Sequence, residues 1–337
     1  MSEPKHPSPE LFWDYVTGFQ RSAAIRAAVD LELFSAIAGG AGSVAAIVEK
    51  TAASERGVRI LCDYMTAAGF LTKTDGRYAL TPDSAMFLDQ NSPAYLGNMV
   101  KFMQHEEQRR SFLELTETAR RGTVAESRDD VLGVEHPVWV EFARSMQGLM
   151  APAAEQMAAI AAQGAGNTLK TLDIAAGHGL FGIAVAKHCP QAHIVAVDWA
   201  GVLTVAQENA RAAGVAERHT LLAGSAFDAD YGTDYDLALL TNFFHHFDRE
   251  TNVSLMRRVR QAVRPGGRVM TLEFIPNEDR VSPPDQAMFA VIMLANTPYG
   301  DVYTFSEYDA MFREAGFGES RLIELRGAPQ RLIVTAG

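Results

Sequence analysis

The sequence predicts a parallel, doubly wound α/β sheet preceded by a mainly helical domain. Three observations carry this. From residue 168 onward, apolar strand-like runs alternate with helical runs across short loops. The first of those strands leads into a glycine-rich loop, LDIAAGHGLFG (172–182), that opens a helix. Before that region, two helical patterns are followed by a strand, an Asp75-Gly76 turn and a second strand, the pattern of a winged helix.

The elements justify themselves in order. Residues 10–38 place apolar side chains at helical spacing, and Gly39-Gly40 stops the pattern. Ser43 and Ser54 stand where two further helices would take their N-caps. FLTKTDGRYAL is the hairpin, and the winged-helix domain spans 10–94. A helical connector, 95–167, follows. Its RRGTVAESRDDVLGVEHP section reads as a polar loop, and GAGN (164–167) marks the boundary to the third region, 168–337. There TLKTLDIAA, HIVAVD, HTLLAG, DYDLALLTNFF and GRVMTLEFI are strands, separated by helices. The tail, ESRLIELRGAPQRLIVTA, reads as two strands around a turn, adding an antiparallel strand at the sheet edge.

The totals narrow the class. The chain has 337 residues, enough for about two domains. Its net charge of −11 argues against a protein that lives on nucleic acid or anionic lipid. No run approaches the roughly 20 apolar residues that span a bilayer, and MSEPKHPSPE lacks the pattern of a secretory signal. Cys62 and Cys189 are far apart, as expected of reduced thiols in a cytoplasmic chain. The nine histidines show no metal-ligand spacing, so no metal is expected.

In open α/β sheets the ligand lies beyond the carboxyl ends of the strands. Gly177 and Gly179 would let the backbone approach it closely. Asp173, four residues before the first glycine, would repel a pyrophosphate and attract an ammonium. S-adenosyl-L-methionine carries an ammonium and a sulfonium and no phosphate, so this order favours it over a nicotinamide dinucleotide. Asp198 ends the next strand, where a carboxylate can accept both ribose hydroxyls; Trp199 follows it and could pack on the adenosine. Phe227, in the loop AGSAFD after the third strand, can lie against the adenine.

LDIAAGHG, VAVD, NFFHHFD, RPGGRV and MLANTPYG together resemble the class I S-adenosylmethionine-dependent methyltransferases. With AAIRAAVDLELFSAIA and ILCDYMTAAGFLTKTDGRYALTPDSAMFL, almost the whole chain resembles the small-molecule O-methyltransferases that include caffeate, hydroxyindole and antibiotic-tailoring enzymes. The resemblance implies a Rossmann-like seven-stranded sheet with an antiparallel last strand and a winged-helix dimerisation domain. It implies a homodimer in which residues near Phe12, Trp13 and Phe19 reach into the partner's site. The expected product of the cofactor is S-adenosyl-L-homocysteine.

Site roles carry over by position. His245 matches the catalytic base, His246 stands at an aspartate position and Phe247 at the aromatic position beside adenine; the two histidines could exchange roles. A histidine can take a phenolic proton near neutral pH and so prepare the oxygen for in-line methyl transfer. Glu273 matches an acid that orients the base. A second family acid falls at Val302, with Asp301 beside it. Ser225 stands where relatives often carry aspartate, and Ala226, Thr241 and Met146 complete the expected cofactor site.

For the substrate pocket, Met99 and Met103, Met146 and Met150, and Met288 and Ile292 each share a helix face. Phe102, Trp139, Phe142 and Phe289 lie in the same segments, Asn296 and Thr297 supply a polar contact, and His246 helps to steer the substrate. A flat aromatic or polyketide-like molecule bearing a hydroxyl is expected. Two alternatives stand: methyl transfer to carbon or nitrogen or another tailoring reaction, and a winged-helix regulator that senses the cofactor. The would-be recognition helix, SERGVRILCDYMTAAGF, is rich in apolar residues, which suits packing better than entry into a DNA groove.

Overall fold

The computed structural model describes residues 7–125, 138–163 and 168–337. GAGN and residues 126–137 of the expected polar loop lie outside the described residues. The chain divides into two units, Met1–Glu106 and Glu107–Gly337.

In the first unit the helical spacing of 10–38 is shared among α1 (Glu10–Val16), α2 (Gly18–Asp30) and α3 (Leu33–Ala38). Glu32, at φ 52°, separates the last two. Ser43 caps α4 (Val44–Thr51) by accepting from Ala46 N–H, and Ser54 caps α5 (Glu55–Ala67) by accepting from Gly57 N–H. β1 (Leu71–Thr74) and β2 (Arg77–Leu80) pair antiparallel around Asp75-Gly76, both left-handed. α6 (Pro82–Phe87) and α7 (Gly97–Met103) follow. Phe34, Ile47, Cys62 and Met65 lie in its core. No residue of α1 is buried: Leu11, Phe12, Trp13 and Tyr15 are exposed, as is Phe19 at the start of α2. Apolar exposure on this scale is characteristic of a docking face.

After α8 (Glu106–Leu113), α9 (Leu115–Arg121) and α10 (Val138–Ala162), strands and helices alternate. They are β3 (Lys170–Ile174), α11 (Leu180–His188), β4 (His193–Asp198), α12 (Ala200–Ala212), β5 (His219–Ala223), β6 (Tyr235–Thr241), α13 (Arg249–Ala262), β7 (Val263–Glu273), α14 (Pro284–Asn296), α15 (Phe305–Glu314), β8 (Ser320–Glu324) and β9 (Arg331–Ala336). The strands form one seven-stranded sheet in the order β5-β4-β3-β6-β7-β9-β8. β3 to β7 are parallel, and β9 runs antiparallel to β7 and β8.

The antiparallel strand is therefore not at the edge, as the tail suggested. β9 inserts between β7 and β8, and β8 takes the edge. The cause is apolar character: Leu332, Ile333 and Val334 of β9 are buried in succession, whereas most of β8 is partly exposed. A strand covered on both faces belongs inside a sheet.

The period of two divides the core. Leu237 and Leu239 of β6 and Met270 and Leu272 of β7 join α10 and α11 residues on one face. Ala238, Leu240 and Val269 join α13 and α15 residues on the other. Among the described residues no helix is long and apolar enough to cross a membrane.

Gly182 sets how closely α11 approaches the sheet. A Cβ there would stand 2.7 Å from Ile194 Cγ2 and 2.8 Å from Asp173 Oδ2. Gly182→Ala is expected to destabilise the fold by about 1–3 kcal/mol, read as a lower urea midpoint at unchanged slope. An unchanged midpoint would show that this contact relaxes freely.

Candidate active site

Because β3 to β7 run parallel, their carboxyl ends share one edge, and the chain order reverses between β3 and β6. The strand ends and loops on that edge carry His245, Glu273 and, apart from Met146, the residues expected to hold the cofactor.

The glycine loop follows β3. Gly177 has φ 57°, and the nearest atom to the Cβ it lacks is Ala175 O at 3.9 Å, so this face of the loop is open. Gly179 serves packing: a Cβ there would meet Ala206 Cβ of α12 at 2.9 Å. Asp198 ties the loop to the end of β4. Its Oδ2 accepts from Gly177 N–H at 2.8 Å, and its Oδ1 from Trp199 N–H at 2.7 Å. Burial pushes Asp198 up to about 6, against the lowering effect of those two amides.

Asp173 departs from the sequence reading. Its side chain is fully buried and lies under the first turn of α11, where Oδ2 accepts from Gly182 N–H at 3.0 Å. Oδ1 has no hydrogen-bond partner. Burial pushes this carboxyl up to about 8, and the nearby Asp198 adds to the shift. The neutral acid is thus the favoured form at pH 7, and it supports the loop from beneath instead of presenting a charge to a ligand.

Around the next two loops, aromatic rings converge. Ser225 Oγ accepts from Phe227 N–H at 3.1 Å, within its own loop, and Ala226 is buried. The Phe247 ring meets Phe227 and Phe243 edge-on, each at 5.0 Å between centroids. Thr241, the last residue of β6, is buried. Trp199, half-buried, packs with Trp139 against Ala143, Val202 and Val205.

Glu273, the last residue of β7, is wholly buried. Its Oε1 accepts from Phe243 N–H and Phe244 N–H, both at 2.8 Å, and its Oε2 lies 2.6 Å from His245 Nδ1. The carboxylate thereby fixes the imidazole and leaves Nε2 as the nitrogen facing away from it. His246 is half-buried with its ring 4.4 Å from that of His245 and 5.8 Å from Trp139. Its Nδ1 has no partner, and burial, helped by His245, holds it well below the ordinary histidine value. Asp301 accepts from Val302 N–H and faces Arg280 at 3.6 Å; no hydrogen bond joins it to His245 among the described residues.

The expected pocket residues separate. Phe289 stands edge-on to His245 at 5.0 Å and stacks on Phe274 at 3.9 Å and 9°. Trp139 and Phe142 are in edge contact on α10, which also carries Met146 and the buried Met150. On α14, Ile292 is half-buried and Met288 is exposed. Asn296 Nδ2 donates to Ile292 O. Thr297 corrects an expectation: it is buried, and its hydroxyl donates to Met293 O and accepts from Gly300 N–H, so it braces the turn after α14. Met99, Phe102 and Met103 lie on α7 and Phe12 on α1, all in the first unit; Met99 and Met103 border a surface groove of about 480 Å³ there.

Four residues near this edge escaped the sequence reading. His178 Nδ1 accepts from Leu180 N–H, and burial pushes its imidazole down to about 4, so the ring is neutral at pH 7. Phe274 was visible only as the neighbour of Glu273. Asn242 and Gln330 are 88 residues apart and meet only in space, at 3.3 Å. Among the described residues no group of three or more His, Cys, Asp or Glu could hold a metal.

The Asp173 geometry has a pH signature. A carboxyl raised from 3.8 to about 8 on folding stabilises fully below pH 4, and this contribution is lost as pH rises through 8. Asp173→Asn retains an acceptor for Gly182 without that titration. The variant's stability relative to wild type is expected to rise by more than about 1 kcal/mol between pH 5 and pH 9. Parallel pH profiles in denaturant unfolding would reject the buried neutral acid.

Comparison with known proteins gives a consistent picture. A family profile described as an O-methyltransferase domain matches residues 141–318, and one described as an O-methyltransferase dimerisation domain matches residues 13–90. The 3-hydroxy-5-methyl-1-naphthoate 3-O-methyltransferase of Streptomyces sahachiroi is 27% identical over 323 residues, covering 95% of this chain and 92% of that one. A crystal structure from Nostoc punctiforme PCC 73102, provisionally named an O-methyltransferase, superposes with a TM-score of 0.93 at 49% identity, covering 99% of this chain and 100% of that one. Human N-acetylserotonin methyltransferase, solved in complex with S-adenosylmethionine, shares the fold at a TM-score of 0.85 and 23% identity, covering 100% and 99%.

Proposed function

The chain belongs to the O-methyltransferase family, and from that membership we propose a homodimeric enzyme that methylates a hydroxyl of an aromatic or polyketide-like small molecule, with His245 as general base. One observation carries the choice of base: His245 Nδ1 lies 2.6 Å from a fully buried carboxylate that two backbone amides also hold in place.

The residues fit S-adenosyl-L-methionine. Gly177 leaves open space where a side chain would project. Asp198 Oδ1 and Oδ2 each accept one protein amide, which leaves acceptor capacity for ribose hydroxyls. Phe227 and Phe247 offer aromatic surface for the adenine; Ser225, Ala226, Thr241, Trp199 and Met146 are assigned to the same cofactor site. When bound, the cofactor supplies a methyl group already activated on a sulfonium.

The protein's own part is to prepare and hold the acceptor. The hydroxyl proton passes to His245 Nε2. Nδ1–H donates to Glu273 Oε2, so the imidazolium that forms is paired from the start. His246 has no such acid, and its neutral ring serves as wall and guide. Phe289 and Phe274 favour a flat acceptor beside the base, in keeping with the naphthoate on which the Streptomyces relative acts. The exposed face of α1 and Phe19 is the surface we assign to dimerisation, and Met99, Phe102, Met103 and Phe12 are assigned to the substrate site as part of the same reading.

His245→Ala is expected to lower turnover by about 10²–10⁴ while affinity for S-adenosylhomocysteine stays within about threefold. Acceptors come from a labelled-methyl screen of phenols, flavonoids and polyketide aromatics, with the methylated atom placed by NMR; a methyl on carbon or nitrogen would move the reaction to that class. Turnover near wild type in the variant would reject His245 as base. Separately, Trp13→Glu combined with Phe19→Glu is expected to yield a monomer in analytical ultracentrifugation, and an undiminished dimer would exclude this face.

A further inference from the structure

β6 ends at Thr241, and the next residue, Asn242, adopts φ 52°. Residues other than glycine rarely occupy this region, and they persist there only where the surroundings hold them. Asn242 is held at three points. Its backbone N–H donates to Leu272 O at 2.8 Å, keeping it in register with β7. Its Oδ1 accepts from Gln330 Nε2 at 3.3 Å, and its Nδ2 points at Met150 Sδ at 3.6 Å. Gln330 is itself 2% exposed and also directs Nε2 at the same sulfur, at 3.8 Å. Side chains from α10 and from the residue just before β9 thus clamp the residue that follows β6.

What the clamp produces lies immediately downstream. The left-handed residue turns the chain out of the line of β6. The next two amides, of Phe243 and Phe244, then converge on Glu273 Oε1. The following residue brings its imidazole to Oε2. Phe243, at φ −128° and ψ −43°, turns the two amides to the same side, and the left-handed Asn242 before it sets the direction in which that pair leaves β6. With Asn242 in the β-region the chain would continue along the strand line and carry the pair away from Glu273.

We propose that Asn242 is a positioning residue for His245: its clamped left-handed conformation aims two backbone amides and the imidazole at Glu273. It touches none of the reacting atoms. The inference rests on the reading of His245 as base, and its test has a readout that does not depend on that reading.

Two substitutions separate conformation from side chain. Asn242→Gly removes the clamp but adopts positive φ unaided. Asn242→Val keeps bulk and strongly disfavours that region. The structural readout is the far-downfield Nδ1 proton of His245 in the S-adenosylhomocysteine complex, assigned by its absence in His245→Gln. Wild type and Asn242→Gly are expected to show it, and Asn242→Val to lose it even at saturating S-adenosylhomocysteine. Affinity for S-adenosylhomocysteine is expected to stay within about threefold in Asn242→Gly, whereas Asn242→Val, which also redirects Phe247, is compared only in the saturated complex. Turnover on any acceptor that wild type methylates is expected to fall about 100-fold in Asn242→Val and to stay within about threefold in Asn242→Gly. Retention of the Nδ1 proton in Asn242→Val overturns the proposal, as does its loss in Asn242→Gly. If instead His245→Gln keeps full turnover, the base assignment fails while the proton signal still reports on Asn242.

Discussion

The active edge depends on the satisfaction of one buried carboxylate. Glu273 has no exposed surface, and a carboxylate in that position is tolerable only if its oxygens are fully engaged. Three donors from consecutive residues, Phe243, Phe244 and His245, meet that demand. Register makes the meeting possible. Thr241 of β6 lies opposite Leu272 of β7, so the residues that follow the first strand arrive beside the residue that ends the second. A slip of one position would turn Glu273 to the other face of the sheet and leave both the acid and the imidazole unpaired.

The glycine loop shows how a correct conclusion can rest on a different cause. From the sequence, Asp173 is a carboxylate that would repel phosphate and draw in an ammonium. In the fold it is an internal acid, favoured in its neutral form, whose contact is with Gly182 N–H. The cofactor class is nonetheless that of the family. What the loop presents outward is the open side of Gly177 and the carboxylate of Asp198, while Gly179 and Gly182 give their missing side chains to packing against Ala206 and Ile194. The acidic residue at this position serves the helix–sheet junction, and only what that junction leaves exposed is open to a ligand.

Adjacent identical residues divide in the same manner. His245 and His246 differ by one step of chain, yet one is braced by Glu273 and the other is packed against Trp139 with Nδ1 unpaired. Thr297 and Asn296 likewise read as polar contacts for a substrate, but the hydroxyl of Thr297 is consumed within its own turn. Polarity at a given position states that a partner is required; the partner is chosen by what the fold brings near.

Periodicity and turn chemistry are local, so the sequence alone determined the strand–helix alternation, the Asp75-Gly76 hairpin, the Ser43 and Ser54 caps and the loop at Gly177. The family resemblance implied in addition that His245 and Glu273 lie at neighbouring strand ends; in the fold Glu273 ends β7 and His245 follows four residues after the end of β6. The tertiary structure alone decided that β9 lies inside the sheet, that Asp173 faces inward, that His245 rather than His246 has the acid, and that Gln330 reaches Asn242. Each of these depends on contacts between residues far apart in the chain, and on burial, which no local pattern encodes. A sequence states which groups must be satisfied, and only the packed chain states by what.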